Sequence, residues 1–439
     1  VYYQVISLSK ICKNTFPQSY VFSGGGVPTN LYKELYRDGA VFDALCNGEG
    51  EIPLLDFVLS KDKDLFLNTS SDWVTEKKLV KGQTEFTQQF IEDLNEIPTY
   101  DYSICDVDMY TINPTINGYA SIEKNNISFP VMTSRGCPFR CCFCASHSVH
   151  GRAMRYFSIE RIREDFIKLK KTYNAKTLVL LDDHILQDTD RTSKILDIVK
   201  ELDLNVVFQS GLAIHKLKKP ILQKMYDSGI RQVLLPIESG SQRVLKEIMH
   251  KPLKLSTVNP VVDSCRELGM YVDANVLIGL PGETKKDIED ARIFLRSLDV
   301  NWFSVIIATP LIGSEMMEIC QTNNYLKTNP IEGNFKKAII ETEDFDTEYI
   351  TEMRYLLNLE LNFLYNSDMR LGNYDTALFG FEHVINVQPN HAVAFYYASK
   401  CYEKLGENSK AVEYKNKAFS IINESDFWKT NFKNLNIEE

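Results

Sequence analysis

Phe129-Pro130-Val131-Met132-Thr133-Ser134-Arg135-Gly136-Cys137-Pro138-Phe139-Arg140-Cys141-Cys142-Phe143-Cys144 is an apolar strand running directly into four cysteines. Cys137, Cys141 and Cys144 carry the spacing C-x-x-x-C-x-x-C. Three thiolates on one short loop can hold three irons of a cubane iron–sulfur cluster, which leaves the remaining iron open to a substrate or cofactor. Cys142 falls between ligand positions and reads as a packing residue. A zinc site is the competing reading, because Cys141, Cys144, His147 and His150 also have plausible tetrahedral spacing. The other six cysteines, Cys12, Cys46, Cys105, Cys265, Cys320 and Cys401, are scattered singly, as reduced thiols usually are.

Outward from this loop, residues 129–313 alternate strand and helix. Apolar runs predict strands near 129–134, 177–183, 205–210, 231–238, 272–278 and 302–308. Amphipathic stretches predict helices at about 159–172, 190–202, 216–228, 257–268 and 284–297. Strands this apolar are covered on both faces, and the alternation predicts α/β architecture: a partial (β/α)6 parallel barrel. Such folds place their chemistry at the C-terminal ends of the strands, where the cysteines fall.

Other strand ends carry polar residues. Leu181-Asp182-Asp183-His184 follows the second strand, Glu238-Ser239-Gly240-Ser241 the fourth, and Asn275-Val276-Leu277-Ile278-Gly279-Leu280-Pro281-Gly282-Glu283 the fifth. Each is weak alone, since a Gly-Glu turn is usually only a turn. Together with the cysteine loop, their order resembles the radical S-adenosylmethionine (radical SAM) superfamily. The aromatic Phe143 before the last cysteine is also typical of it. The resemblance implies a [4Fe-4S] cluster on Cys137, Cys141 and Cys144. It also implies SAM chelated by the open iron and cleaved reductively to a 5′-deoxyadenosyl radical. It places Asp182 and Asp183 by the SAM amino group, Glu238 and Ser239 by the ribose, and Leu277, Gly279, Gly282 and Glu283 by the adenine. Asn275 stands where the family has a first glycine. Arg152, Arg155 and Lys251 are further candidates for the SAM carboxylate, each read first as a surface ion pair. His147, His150 and His184 lie near the active end and read first as structural.

Residues 1–60 read as helix, strand, glycine turn, helix, short strand, Gly48-Glu49-Gly50-Glu51 and helix, half of a doubly wound sheet. This order resembles the C-terminal half of the Rossmann-like cobalamin-binding domain of one radical SAM subgroup, which includes methyltransferases and an anaerobic porphyrin ring cyclase. Gly24 and Gly25 (with Gly26) would admit the cofactor tail. The D-x-H-x-x-G segment of the full domain is not in this sequence, which opens at Val1 inside a predicted helix. We therefore expect an N-terminally incomplete chain, and cobalamin as a cofactor conditional on the upstream half. Residues 61–128 read as an irregular connector with short strands, and 314–357 as a linker.

From 358 to 425 helices dominate. Leu371-Gly372 recurs as Leu405-Gly406, and Ala377-Leu378 as Ala411-Val412, 34 residues later in both cases, with Pro389 between. This period resembles the tetratricopeptide repeat, against a plain pair of helical hairpins. A concave groove for a peptide or protein partner is the expected use. Residues 426–439 form a tail.

Composition bounds the remaining readings. The chain has 439 residues, 44% hydrophobic and 25% charged, with net charge −10. Disorder and a disulfide scaffold are excluded, and a broad grip on nucleic acid is disfavoured. No apolar run is long enough to span a membrane. The expectation is a cytoplasmic radical SAM enzyme fed by an electron donor such as flavodoxin or ferredoxin, methylating, cyclising or oxidising an unnamed substrate. A methylthiotransferase is the enzymatic rival, although the sequence shows neither its extra N-terminal cysteine set nor its terminal β domain. A non-catalytic repeat scaffold with a structural metal is the rival from another class.

Overall fold

The computed structural model describes residues 2–107 and 127–437. Most of the second half of the expected connector (108–126), Val1 and the last two tail residues lie outside the described residues. The N-terminal unit runs α1 (Tyr2–Thr15), β1 (Phe22–Ser23), α2 (Gly26–Arg37), β2 (Ala44–Cys46) and α3 (Glu51–Leu59), in the expected order. β1 and β2 pair in parallel. The unit does not end at residue 60. After α4 (Lys63–Thr69), the segment read as connector supplies β3 (Trp73–Val74), which pairs antiparallel with β2 before α5 (Glu76–Val80). Trp73 and Val74 are almost fully buried, which a two-residue strand is too short to announce by periodicity.

The central unit begins with β4 (Ser128–Val131). The cysteine loop that follows is enclosed by a small hairpin, β5 (Ser134–Arg135) against β6 (Arg155–Tyr156), with α6 (His147–His150) between them. Then come α7 (Ile159–Tyr173), β7 (Thr177–Leu180), α8 (Thr189–Glu201), β8 (Asn205–Phe208), α9 (Lys219–Asp227), β9 (Gln232–Glu238), α10 (Val258–Glu267), β10 (Tyr271–Ile278), α11 (Lys285–Arg296) and β11 (Trp302–Ile307). Sequence chemistry sets the helix ends. Ser158 caps α7 by accepting from Arg161 N, and Asn174 ends it in the left-handed region at φ 52°. Thr284 and Asp287 form a capping box on α11. β10 is buried on nearly every residue, as a strand covered on both faces must be.

The six barrel strands do not form one continuous sheet. They make two parallel three-stranded sheets, ordered β4-β7-β8 and β11-β10-β9. This corrects the expected partial barrel, and residues at the seam supply the reason. Pro236 in β9 has no N–H to give a neighbouring strand. Gly211, beyond β8, packs so close that an added Cβ would lie 2.8 Å from the Pro236 ring. Leu212 N reaches Leu234 O at 3.3 Å across the seam. One hydrophobic core nevertheless runs through both sheets and their helices, each buried Leu, Ile or Val contributing about 1.5–3 kcal/mol.

The helical region starts earlier than expected. After α12 (Glu315–Thr322), α13 (Thr347–Leu359) falls within the stretch read as linker. With the π-helical turn Glu360–Leu364 it covers the outer edge of β11. Asn362 accepts from Phe303 N at 2.7 Å and donates to Phe303 O at 2.8 Å. Arg354 and Asn358 donate to Val305 O. Backbone groups that an open edge would leave exposed are thus satisfied by side chains. A second core lies beyond, built from α14 (Ser367–Leu371), α15 (Tyr374–Val387), α16 (Ala392–Lys404), α17 (Asn408–Asn423) and α18 (Asp426–Asn434). Gly372 and Gly406 follow α14 and α16 at φ 78° and 81°, so each Leu-Gly pair ends a helix in the left-handed region. Leu378 is buried but its counterpart Val412 is exposed. No helix among the described residues is long and apolar enough to cross a membrane.

Candidate active site

The cysteine loop leaves the C-terminal end of β4, and buried charge fixes its start. Asp182, after β7, accepts from Thr133 N (3.1 Å), Thr133 Oγ1 (2.7 Å) and Ser134 Oγ (2.6 Å). Arg191 on α8 donates to Thr133 O (2.5 Å) and Phe157 O (2.9 Å). Burial raises the Asp182 carboxyl, against these donors and the Arg191 charge. Gly136 turns the chain at φ 92°, where an added Cβ would sit 2.2 Å from Ala153 O. Its N–H donates to Asp183 Oδ2 at 3.3 Å.

Cys137, Cys141 and Cys144 are half-buried free thiols, whereas Cys142 is buried in the barrel core. The expected packing role of Cys142 follows from that direction. Its backbone also ties the loop down: Cys142 N donates to Met249 O, and Cys142 O accepts from Met316 N. Burial pushes the Cys141 thiol up to about 11, while the Lys251 ammonium pulls against it. Burial also raises Cys137, with Arg152 opposing. Thiols in this condition need a metal to become thiolates near neutrality. Among the described residues no group of three or more His, Cys, Asp or Glu is gathered around a single metal-ion position, the zinc set included. His150 Nδ1 pairs with Asp183 Oδ2 at 2.9 Å, and Cys144 Sγ contacts Ser146 Oγ at 3.4 Å.

A small cleft opens beside Cys141, lined among others by Phe139, His215, Pro236, Lys251 and Leu253. Lys251 Nζ stands 3.6 Å from Glu238 Oε1. Glu238 holds φ 65° without being glycine, a strain of order 1–3 kcal/mol of the kind that gathers at functional sites. Burial raises its carboxyl, opposed by Lys251. Of the three basic candidates, Lys251 alone lines this cleft. Arg152 donates to Phe139 O at 2.6 Å, and Arg155 is held by Glu49 at 2.7 Å.

The remaining expected residues stand at the strand ends but outside the lining of this cleft. Ser239 is buried, its Oγ accepting from Ser241 N at 3.1 Å. Gly240 lets α11 approach, since a Cβ there would lie 2.7 Å from Ala291. Leu277 packs in the core. Gly279 turns at φ 85°, with space for a Cβ denied by Ile350 at 2.8 Å. Glu283 Oε2 accepts from Gly279 N (2.6 Å) and Leu280 N (3.2 Å), and burial raises its carboxyl to about 8. Beside Phe139, His184 is buried and shifted down to about 4 by its burial.

Sequence reading missed how the N-terminal unit meets the loop. Glu49 takes Arg155 on both oxygens (2.7 and 2.8 Å) and Arg135 at 3.2 Å, and Glu51 takes Arg135 at 2.5 Å. The Gly48–Glu51 turn thus grips the β5–β6 hairpin. The paired arginines bracketing the cysteines were the available signal. Gly25 turns at φ 85° into open space, Gly24 faces Cys46, and Gly26 faces Val149 of α6.

Residues 131–295 match the radical SAM superfamily model. This segment is a radical SAM domain by that match, and the chain that carries it is similar to radical SAM enzymes. An uncharacterised methyltransferase of Pyrococcus horikoshii is 28% identical over 80% of this chain and 74% of its own length. Cytidylyl-2-hydroxyethylphosphonate methyltransferase of Streptomyces wedmorensis is 30% identical over 52% of this chain. The chain spans about three quarters of the first relative and 45% of the second. In fold, the chain resembles the cobalamin-dependent SAM radical enzyme OxsB with aqua-cobalamin bound, at TM-score 0.61, 14% identity, and coverage of 99% of this chain and 69% of that one.

Proposed function

We propose that this chain is a radical SAM methyltransferase that holds a [4Fe-4S] cluster on Cys137, Cys141 and Cys144 and takes SAM in the cleft beside Cys141. The observation that carries the reading is the convergence of three free, half-buried thiols with Lys251 and Glu238 at the strand ends of the domain that matches the radical SAM family. A cluster held by Cys137, Cys141 and Cys144 would supply the one-electron chemistry for reductive cleavage of SAM. This chain's residues do the rest. Asp182 and Arg191 hold the loop, Asp183 fixes Gly136 and faces the cysteines, and Glu238 offers its carboxylate to the ribose. Glu283 shapes the Gly279–Gly282 turn against the adenine, with Leu277 and Ser239 supporting from behind.

Cobalamin is the proposed methyl carrier, on the N-terminal unit at Gly24 and Gly25. The cobalamin-bound fold relative and the methyltransferases among the sequence relatives support it. The room beside Gly25, where a Cβ would touch nothing within 4 Å, is compatible with a cofactor tail. We read α14–α17 as two tetratricopeptide-like units that present a surface to a peptide or protein, supported by the two left-handed Leu-Gly helix ends. A flavodoxin or ferredoxin in the cytoplasm is the proposed electron source.

The test is anaerobic reconstitution with iron and sulfide, then SAM and dithionite, with 5′-deoxyadenosine and demethylated SAM as readouts. Wild type should yield 5′-deoxyadenosine, and Cys141→Ala should not. An assembled, reduced cluster that leaves SAM intact in the wild type would sink the reading.

A further inference from the structure

The strained backbone around the cleft converges on one side chain. Glu238 lies in the left-handed region at φ 65° and His250 at φ 54°. Between them in sequence, Val244–Ile248 forms a π-helical turn, a distortion found mostly at functional sites. Met249 O accepts from Cys142 N at 3.1 Å, which locks this segment onto the cysteine loop. Lys251 N in turn donates to Leu245 O at 2.8 Å. All of this places the Lys251 ammonium, its side chain 15% exposed, against Glu238 at 3.6 Å and in the same cleft wall as Cys141. Strain of this kind persists only where the surroundings enforce it. Here it enforces a lysine poised between a carboxylate and a cluster ligand.

We propose that Lys251 is a positioning residue that couples SAM binding to cluster reduction. The inference rests on the functional reading above. While the cleft is empty, Glu238 neutralises Lys251. When SAM engages Glu238 through its ribose hydroxyls, the ammonium charge turns toward Cys141. A cation beside the cluster favours the reduced, more negative form, and in a half-buried site it acts with little screening. The reduction concerned is the transfer of one electron from the external donor to the oxidised cluster, with no bond made or broken. Electron entry is thereby favoured once SAM is in place to receive it, and wasteful reduction of an empty site is disfavoured.

The test is an EPR-monitored redox titration of the reconstituted full chain, with and without SAM, on wild type, Lys251→Met and Lys251→Arg. SAM should raise the wild-type midpoint. Lys251→Met should be roughly tenfold harder to reduce with SAM present, about 59 mV for a one-electron couple, and should lose most of the SAM-induced shift. Lys251→Arg should keep both. If Lys251→Met holds no cluster, Glu238→Gln decides instead. It should raise the SAM-free midpoint and leave SAM little further effect. An unchanged midpoint and a full SAM shift in Lys251→Met, or in its absence an unmoved SAM-free midpoint in Glu238→Gln, overturns the inference. The functional reading fails separately, if the wild type with a reduced cluster makes no 5′-deoxyadenosine.

Discussion

Glu283→Gln isolates a buried carboxyl whose pKa is raised. Glu283 is fully buried and stands at about 8 against an ordinary 4.5, because burial penalises its charge more than the Gly279 and Leu280 amides favour it. A carboxyl whose pKa rises on folding binds its proton more tightly in the folded state. Its contribution is therefore complete below the unfolded value and is lost as the pH rises through the folded one. Each unit corresponds to about 1.4 kcal/mol, so between pH 5 and pH 8 about 3.5 kcal/mol of local stability should disappear. Glutamine keeps an oxygen for the two amides and does not titrate. Amide exchange followed by mass spectrometry on the peptide spanning β10 and its turn, corrected for intrinsic rates, reads this locally. The wild-type opening free energy should fall relative to Glu283→Gln by about 3.5 kcal/mol across that window. Curves that stay parallel from pH 5 to pH 8 would show that Glu283 ionises normally and would refute the argument.

Other substitutions probe separate parts of the account. Gly136→Ala places a Cβ 2.2 Å from Ala153 O at φ 92°. It should abolish cluster incorporation, measured as bound iron and sulfide. Gly229→Ala, at φ 89° with open space around it, should cost only about 1 kcal/mol and leave iron content unchanged. Asp182→Ala strips the acceptor from Thr133 and Ser134 and leaves Arg191 without its buried counter-charge. A loss of about 3–5 kcal/mol should appear in urea unfolding, with faster iron release to a chelator. Asn362→Leu removes both partners of the Phe303 peptide groups, so β11 should lose about 1–3 kcal/mol for each, seen as faster exchange at Phe303.

Most of the strand–helix alternation was legible because its strands are largely apolar and its helices keep a clean polar stripe, although the closure into one sheet was not. The strand positions at 232–238 and 271–278 and the helix at 285–296 lie within a residue or two of expectation. What escaped the sequence was contact between distant segments. Trp73–Val74 is a strand only because β2 lies beside it. Asn358 and Asn362 carry no signal in the sequence, yet they close the edge of β11. The seam between the two sheets depends on Gly211 meeting Pro236, a pair 25 positions apart. In the site, cysteine spacing was decisive because three thiols on one loop need no fold to bring them together. Asp182 and Asp183 looked equivalent in sequence. The fold separates them, turning one inward onto Thr133 and the other toward Gly136 and His150. Glu49 was given no role in the sequence reading, since nothing local announces that Arg135 and Arg155 will meet it.

The central claim is that Cys137, Cys141 and Cys144 leave one iron open for SAM. Electron–nuclear double resonance on the reduced cluster tests it directly, using SAM labelled with ¹⁵N in the amino group and ¹⁷O in the carboxylate. The account predicts hyperfine coupling to both labels, and their loss together with the cluster in Cys141→Ala. A reduced cluster coupled to neither label, or zinc held by the same cysteines in place of iron, would contradict it.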